Sequence, residues 1–161
     1  MLIGVISDTH DRLPTIDRGL TVFRDCGVEL LMHPGDFIAP FAVKPLVDFG
    51  KPIHATFGNN DGERAGLKKL LPDLVDGPLF VELAGRVILI HHFIDWCRPE
   101  DIERADIVLT GHTHQARVHE EGGRLFVNPG ECCGWVTGRC TVALLDTDGP
   151  LVEIVDLEVT V

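Results

Sequence analysis

Five short clusters of Asp, Asn and His recur along the chain: Asp8-Thr9-His10, Gly35-Asp36, Gly58-Asn59-Asn60-Asp61, His91-His92 and Gly111-His112-Thr113-His114. Side chains of these types bind metal ions, imidazole through nitrogen and carboxylate or carboxamide through oxygen. In extended backbone, residues two apart point to the same side. Asp8 with His10, and His112 with His114, therefore present their ligand atoms in pairs. Taken alone, His112 and His114 fit a turn pair as well as a metal site, and an isolated Asp or His at a strand end is ordinarily a cap. Five such endings in one chain are more than turn chemistry needs. The seven ligand candidates, Asp8, His10, Asp36, Asn59, His91, His112 and His114, suit two metals sharing a carboxylate better than one metal.

The elements that must position these residues are apolar runs, each stopping at one cluster. Leu2 to Ile6, Val28 to Met32, Ile53 to Phe57, Arg86 to Ile90 and Asp106 to Leu109 read as buried strands. Between them, Ile16, Leu20, Val22, Phe23 and Cys26 give helical spacing up to a stop at Gly27. Pro40 opens a second helix through Val43, Leu46, Val47 and Phe49, closed by Gly50. Further helices are expected over Glu63 to Leu71 and Pro99 to Ala105, and a hairpin at Ala84-Gly85 joins Leu79–Leu83 to the next strand. After His114 the pattern changes to strand–turn–strand. Ala116 to His119 pairs with Leu125 to Val127, Asn128-Pro129-Gly130 turns, and Cys140 to Leu145 pairs with Leu151 to Val159 around residues 146–150. The expectation is one domain over residues 1–161, an α/β first half and an antiparallel second half (α+β mixed), built as two packed sheets flanked by helices. Ligands gather outside the carboxyl ends of strands in such sheets, so the clusters can converge.

Composition narrows the function classes. The 161 residues carry a net charge of −11 and no basic run, which argues against a nucleic-acid groove or an anionic membrane as partner. No apolar stretch approaches a membrane span, and the opening residues reach Asp8 too early for a signal peptide, so a cytoplasmic protein is expected. Five cysteines, an odd number without a C-x-x-C, fit a reducing compartment. Cys132-Cys133 reads as two loop or core thiols, ahead of a redox or soft-metal pair. The segment from Glu131 to Arg139 has no period and is expected as a loop at the site rim. Its Trp135 either stacks on a flat leaving group or packs as a core aromatic.

In this order, Asp-x-His, Gly-Asp, Gly-Asn, a His after a strand and Gly-His-x-His resemble the calcineurin-like metallophosphoesterases. Asn128-Pro129-Gly130 looks like that family's later turn motif. The small size and the form Gly58-Asn59-Asn60-Asp61 make the chain most similar to the compact bacterial and archaeal YfcE-type phosphodiesterases. The resemblance implies a four-layer sandwich. It assigns Asp8, His10 and His114 to a first metal, Asn59, His91 and His112 to a second, and Asp36 to the bridge. The implied activity is hydrolysis of a small phosphodiester by water activated between two divalent ions, Mn²⁺ first, with Ni²⁺, Zn²⁺, Fe or Co²⁺ also suited to these ligands. Association into a homo-oligomer is compatible with this reading. Two alternatives stand beside it: a protein-binding scaffold of the same fold, and a phosphomonoesterase or pyrophosphatase using the same metals. The complete ligand set favours an enzyme.

Three positions near the ligands are candidate catalytic groups. Asn60 stands where relatives carry His or Cys; it can hydrogen-bond a phosphate but has no proton to give. His92 follows the assigned ligand where relatives have Gly, as a substitute acid or a neighbouring loop residue. His33 precedes Gly35-Asp36 and stands either behind the ligands or facing substrate. His54 and His119 lie in strand-like runs and are read as structural.

Overall fold

The aliphatic run at the start of the chain forms β1 (Leu2–Val5), with Ile3 and Val5 directed between two sheets and Ile6 directed to the opposite side. The computed structural model describes residues 1–149 and 151–158. Pro150 and Val159, assigned above to the last turn and strand, lie outside the described residues. Along the chain follow α1 (Leu13–Asp25), β2 (Leu30–His33), α2 (Pro40–Asp48), β3 (Ile53–Ala55), α3 (Arg64–Leu70), β4 (Leu79–Leu83) and β5 (Arg86–Ile90). A 3-10 turn (Ile94–Trp96) leads to α4 (Pro99–Arg104), β6 (Ile107–Leu109), β7 (Ala116–Glu121), β8 (Arg124–Pro129), β9 (Thr141–Asp146) and β10 (Leu151–Asp156).

The strands form two five-stranded sheets, in the orders β10-β9-β1-β2-β3 and β4-β5-β6-β8-β7. Within them β1, β2 and β3 are mutually parallel, as are β5, β6 and β8, while the hairpins β4–β5, β7–β8 and β9–β10 supply antiparallel edges. Alternating residues fill the space between the sheets: Ile3, Val5, Leu30 and Met32 from one, Ile88, Ile90, Ile107 and Leu109 from the other. Helices α1, α2 and α3 cover the outer face of the first sheet. In α1 the buried Ile16, Gly19, Leu20 and Phe23 fall on one stripe, as the spacing predicts. On the second sheet, α4 shields Leu89 and Val108. The result is the four-layer arrangement of two sheets between helices.

Sequence and structure differ in detail. β8 runs on through Asn128 and Pro129, because Pro129 still pairs opposite Ala116, so the turn begins only at Gly130. The 3-10 turn at Ile94–Trp96 is too short to leave a periodic signal. Among the described residues no helix is long and apolar enough to cross a membrane. For function, the decisive consequence is polarity. The parallel strands of both sheets deliver their carboxyl ends, and the loops that follow, to a common edge of the sandwich.

Candidate metal centre

The loops at that edge hold conformations that ordinary residues avoid. Among the described residues eight non-glycine positions have positive φ, and seven of them, Asp8, His10, Asp11, Asp36, Ile38, His112 and His114, lie in these loops. Each such residue costs about 1–3 kcal/mol and persists only where its surroundings over-determine it. Here the surroundings are hydrogen bonds between loops. Thr9 N and His10 N donate to the Asp36 carbonyl at 3.0 and 3.2 Å. The Asp61 carboxylate accepts from Asp36 N, Phe37 N, Ile38 N and Gly58 N at 2.7–3.0 Å. Gly35, at φ 110°, and Gly58 allow the loops to approach closely, since a Cβ would stand 2.6 Å from Gly58 N at the first and 2.1 Å from Asp36 Oδ1 at the second.

Asp8, His10, Asp36 and His114 each contribute one ligand atom to a group lying within 4.8 Å of one another. His10 Nε2 sits 3.4 Å from Asp36 Oδ2 and 3.9 Å from Asp8 Oδ1, and His114 Nε2 sits 3.5 Å from Asp8 Oδ1. His10 Nε2 is buried without a hydrogen-bond partner, although it faces two carboxylates. A buried nitrogen left this way is costly in a closed core but natural for a metal ligand. The carboxylates are poised differently. Burial pushes the Asp8 carboxyl above its ordinary value, against the Ser7 hydroxyl that donates to it at 2.5 Å. Burial acts on Asp36 in the same sense, but hydrogen bonds from His92 and Asn60 outweigh it and hold the group well below the usual carboxylate range.

A second group adjoins the first through Asp36. Asn59 Oδ1 lies 2.9 Å from His92 Nε2 and 2.8 Å from His112 Nδ1, and His92 Nε2 lies 3.5 Å from Asp36 Oδ2. The family resemblance implies the ligand role for His91 and leaves His92 as a substitute acid or a neighbouring loop residue. The structure brings His92 to the cluster instead. Both residues follow β5 directly, and neighbours in extended chain face opposite ways. His91 turns to Gly77, where a Cβ would meet its ring at 3.2 Å, and to the edge of Trp96 at 5.7 Å between centroids. His92 is wholly buried, and its Nδ1 donates to the Pro34 carbonyl at 2.8 Å, which fixes Nε2 on the cluster. With both nitrogens engaged, it has no route to a leaving group. The remaining expected ligands, Asp8, His10, Asp36, Asn59, His112 and His114, are brought together.

His33 does not face substrate either. It is fully buried and stacked on Phe37 at 3.6 Å; its Nδ1 accepts from Gly35 N at 3.1 Å and its Nε2 lies 3.4 Å from Thr9 Oγ1. Burial lowers its pKa well below the ordinary value, so it is a neutral brace between the loops after β1 and β2. Asn60 is exposed at the site, and it donates Nδ2 to Asp36 Oδ2 at 2.7 Å and its backbone N to Asp36 Oδ1 at 2.9 Å. It orients the shared carboxylate.

One residue was missed. Glu131 is completely buried just after β8 and accepts His114 Nδ1 at 2.8 Å, the Cys133 thiol at 3.2 Å and Val136 N at 3.1 Å. Thr137 donates to it from both N and Oγ1, at 2.5 and 2.7 Å. Burial opposes its charge, but these donors, His114 first, bring its pKa down to about 2. A carboxylate on Nδ1 leaves the His114 Nε2 lone pair free, as metal-binding histidines require. Cys133 lies within ligand range of His10 and His114, yet burial and the neighbouring carboxylates raise its thiol far above neutrality; Cys132 is pushed up to about 12. Both are neutral thiols, which disfavours a redox pair.

The residues present thus fit divalent ions: oxygen and imidazole donors around a shared carboxylate, with a buried ligand nitrogen left unpartnered. Comparison with known proteins agrees. A family model described as the calcineurin-like phosphoesterase superfamily domain matches residues 1–149. Phosphodiesterase MJ0936 of Methanocaldococcus jannaschii is 40% identical over 156 residues, covering 92% of this chain and 94% of that protein. Among solved structures, a novel archaeal phosphodiesterase superposes with a TM-score of 0.87 at 37% identity, covering 98% of this chain and 100% of that one. YfcE, a phosphoesterase from E. coli, superposes with a TM-score of 0.76 at 22% identity over 98% and 100% of the two chains, a likeness of fold.

Proposed function

The chain belongs to the calcineurin-like phosphoesterase superfamily, and on that premise we propose that it hydrolyses small phosphodiesters with two divalent ions held by Asp8, His10, Asp36, Asn59, His92, His112 and His114. The observation that carries this reading is the position of Asp36. Its Oδ2 stands 3.4 Å from His10 Nε2 and 3.5 Å from His92 Nε2, so one carboxylate serves both groups of ligands. Asp8, His10 and His114 form one group, and Asn59, His92 and His112 the other. Divalent ions supply an acidified water and positive charge against the phosphoryl oxygens when bound.

The chain's own residues do the rest. Asn60 and the backbone of residue 60 hold both oxygens of Asp36 in a fixed plane. Glu131 keeps His114 in the tautomer whose Nε2 is free, and the Pro34 carbonyl does the same for His92. Mn²⁺ is the first choice of ion, supported by the mixed oxygen and nitrogen donors. A reducing, cytoplasmic setting is part of the proposal, supported by five cysteines that are all free. Preference for diesters is supported by the name of the 40% identical relative.

Metal analysis of the purified chain, followed by chelation and reconstitution, tests the proposal. Two ions per chain are expected, with activity on bis(4-nitrophenyl) phosphate exceeding that on 4-nitrophenyl phosphate and lost on chelation. Asp36→Ala should abolish binding of both ions, while His119→Ala, whose ring stacks on Phe126 at 5.0 Å in the β7–β8 hairpin, should keep both. A wild-type chain that takes up no ion after reconstitution would sink it.

A further inference from the structure

The chain has two tryptophans, and both stand at the mouth of the metal centre. Trp135 is 63% exposed and Trp96 47% exposed, where an aromatic of this size is ordinarily buried. Neither is loose. The Arg12 guanidinium lies 4.7 Å from the Trp135 ring centroid, and the indole N–H of Trp135 donates to the His10 carbonyl at 3.4 Å. Arg12 is itself anchored, donating to the Cys133 carbonyl at 2.5 Å. Trp96 ends the 3-10 turn after β5 and stands among other rings: Phe93 at 5.9 Å, His92 at 6.1 Å and His112 at 6.3 Å, all between centroids.

The two rings belong to different halves of the centre. Trp135 is attached to the backbone of His10, in the group with Asp8 and His114. Trp96 lies against His92 and His112, in the group with Asn59. One exposed indole therefore adjoins each of the two ligand groups that share Asp36. A diester carries two substituents, and a flat ring on each would find a π-face already fixed in place. The surroundings limit the size of this substrate. A net charge of −11 with no basic run offers nothing to grip a longer phosphate backbone.

We propose that Trp96 and Trp135 form two stacking subsites and that the substrate is a small phosphodiester with a flat aromatic group on each arm, of the dinucleoside monophosphate kind. This inference rests on the phosphodiesterase reading and narrows it. Base–aromatic stacking of this sort depends on the π-face and not on base identity, so discrimination among bases should be weak. Preorganised rings lose little freedom on binding, which favours affinity for the correct substituents.

The test uses the metal-loaded chain and separates stacking from leaving-group chemistry. Thymidylyl-thymidine is compared with the abasic diester of the same two sugars, which has the same kind of leaving alkoxide but no rings. Bis(4-nitrophenyl) phosphate provides a flat group that is not a nucleobase. The base-bearing diester should show a KM at least about tenfold below that of the abasic one. Trp96→Ala and Trp135→Ala should each remove a large part of that difference, and Trp→Phe at either position should restore most of it. Binding is read independently of turnover. Because Trp96 and Trp135 are the only indoles, titration of the zinc-loaded chain with the slowly cleaved phosphorothioate of thymidylyl-thymidine should change intrinsic fluorescence, and the abasic analogue should not. Equal KM for the two diesters, with no fluorescence change, overturns the subsites while leaving the phosphodiesterase intact. A fluorescence change without hydrolysis of any diester upholds stacking and removes the activity it was built upon. If bis(4-nitrophenyl) phosphate alone responds to the tryptophan substitutions, the nucleoside assignment is overturned.

Discussion

His91 and His92 are separated by one peptide bond, yet they face opposite sides of the strand end. His91 has a buried Nδ1 without a partner and a pKa lowered by burial, and it fills space against Gly77 and Trp96. His92 meets Asn59 and Asp36. Replacing each by Ala separates the roles: His92→Ala should bind one ion fewer per chain, whereas His91→Ala should retain two, as read by mass spectrometry of the folded protein. The opposite result would return the ligand role to His91. Asn60 poses a different question, because its carboxamide nitrogen is committed to Asp36 and neither His33 nor His92 reaches solvent to replace it as an acid. General acid catalysis contributes about 10²–10⁴-fold, so its lack weighs most on poor leaving groups. Aryl diesters should therefore outrun alkyl diesters by a wide margin, with a steep dependence of rate on leaving-group pKa. Asn60→His should flatten that dependence; equal rates on both classes in the wild type would show that protonation is handled elsewhere.

At the scale of elements, strand ends were legible because a continuous apolar run stopping at Asp, Asn or His is a strong pattern. Sheet order, and the face on which each residue emerges, were not. They depend on pairing between segments far apart, and a one-residue shift in the end of β5 exchanges His91 for His92. The loop after β8 shows the same limit. Glu131 acts on a residue 17 positions earlier, a contact no local pattern encodes. The residue itself, though not its partner, carried a signal: Gly130-Glu131 after an apolar run repeats the form of Gly35-Asp36. Its donors come from its own loop, through Val136 and Thr137, so loop and ligand orientation are coupled. Glu131→Gln keeps the shape but sets an amide against those N–H groups. It should weaken divalent-ion binding about 10–100-fold, the usual cost of losing the carboxylate behind a ligating histidine. Calorimetric titration with Zn²⁺ or Mn²⁺ measures this, with Thr137→Ala as a milder companion. Unchanged affinity in Glu131→Gln would reduce Glu131 to a loop brace.

For the molecule as a whole, the net charge of −11 has its most costly part at one end of the sandwich, where Asp8, Asp36 and Glu131 are at most 1% exposed. Among the described residues the ion-pair partners of these carboxylates are histidines, and no lysine or arginine reaches them. Buried charge without a permanent cation is unfavourable, and the fold carries that cost on top of the positive-φ loops. Binding of a divalent ion to the native state alone offsets it. At a free concentration of 100 times Kd the gain is about 2.7 kcal/mol for one site. In a domain of this size, each kcal/mol moves Tm by about 2–4 °C, so one filled site should raise Tm by about 5–11 °C. Asp8→Asn supplies the complement. The amide keeps an acceptor for Ser7 Oγ and His112 N while removing a buried charge beside Asp36. The metal-free variant should melt above metal-free wild type, yet gain much less from added ion. Differential scanning calorimetry with and without chelator reads both effects. A wild-type Tm indifferent to metal, or an Asp8→Asn chain less stable than wild type when both are metal-free, would mean that the strain of the empty centre is relieved in some other way.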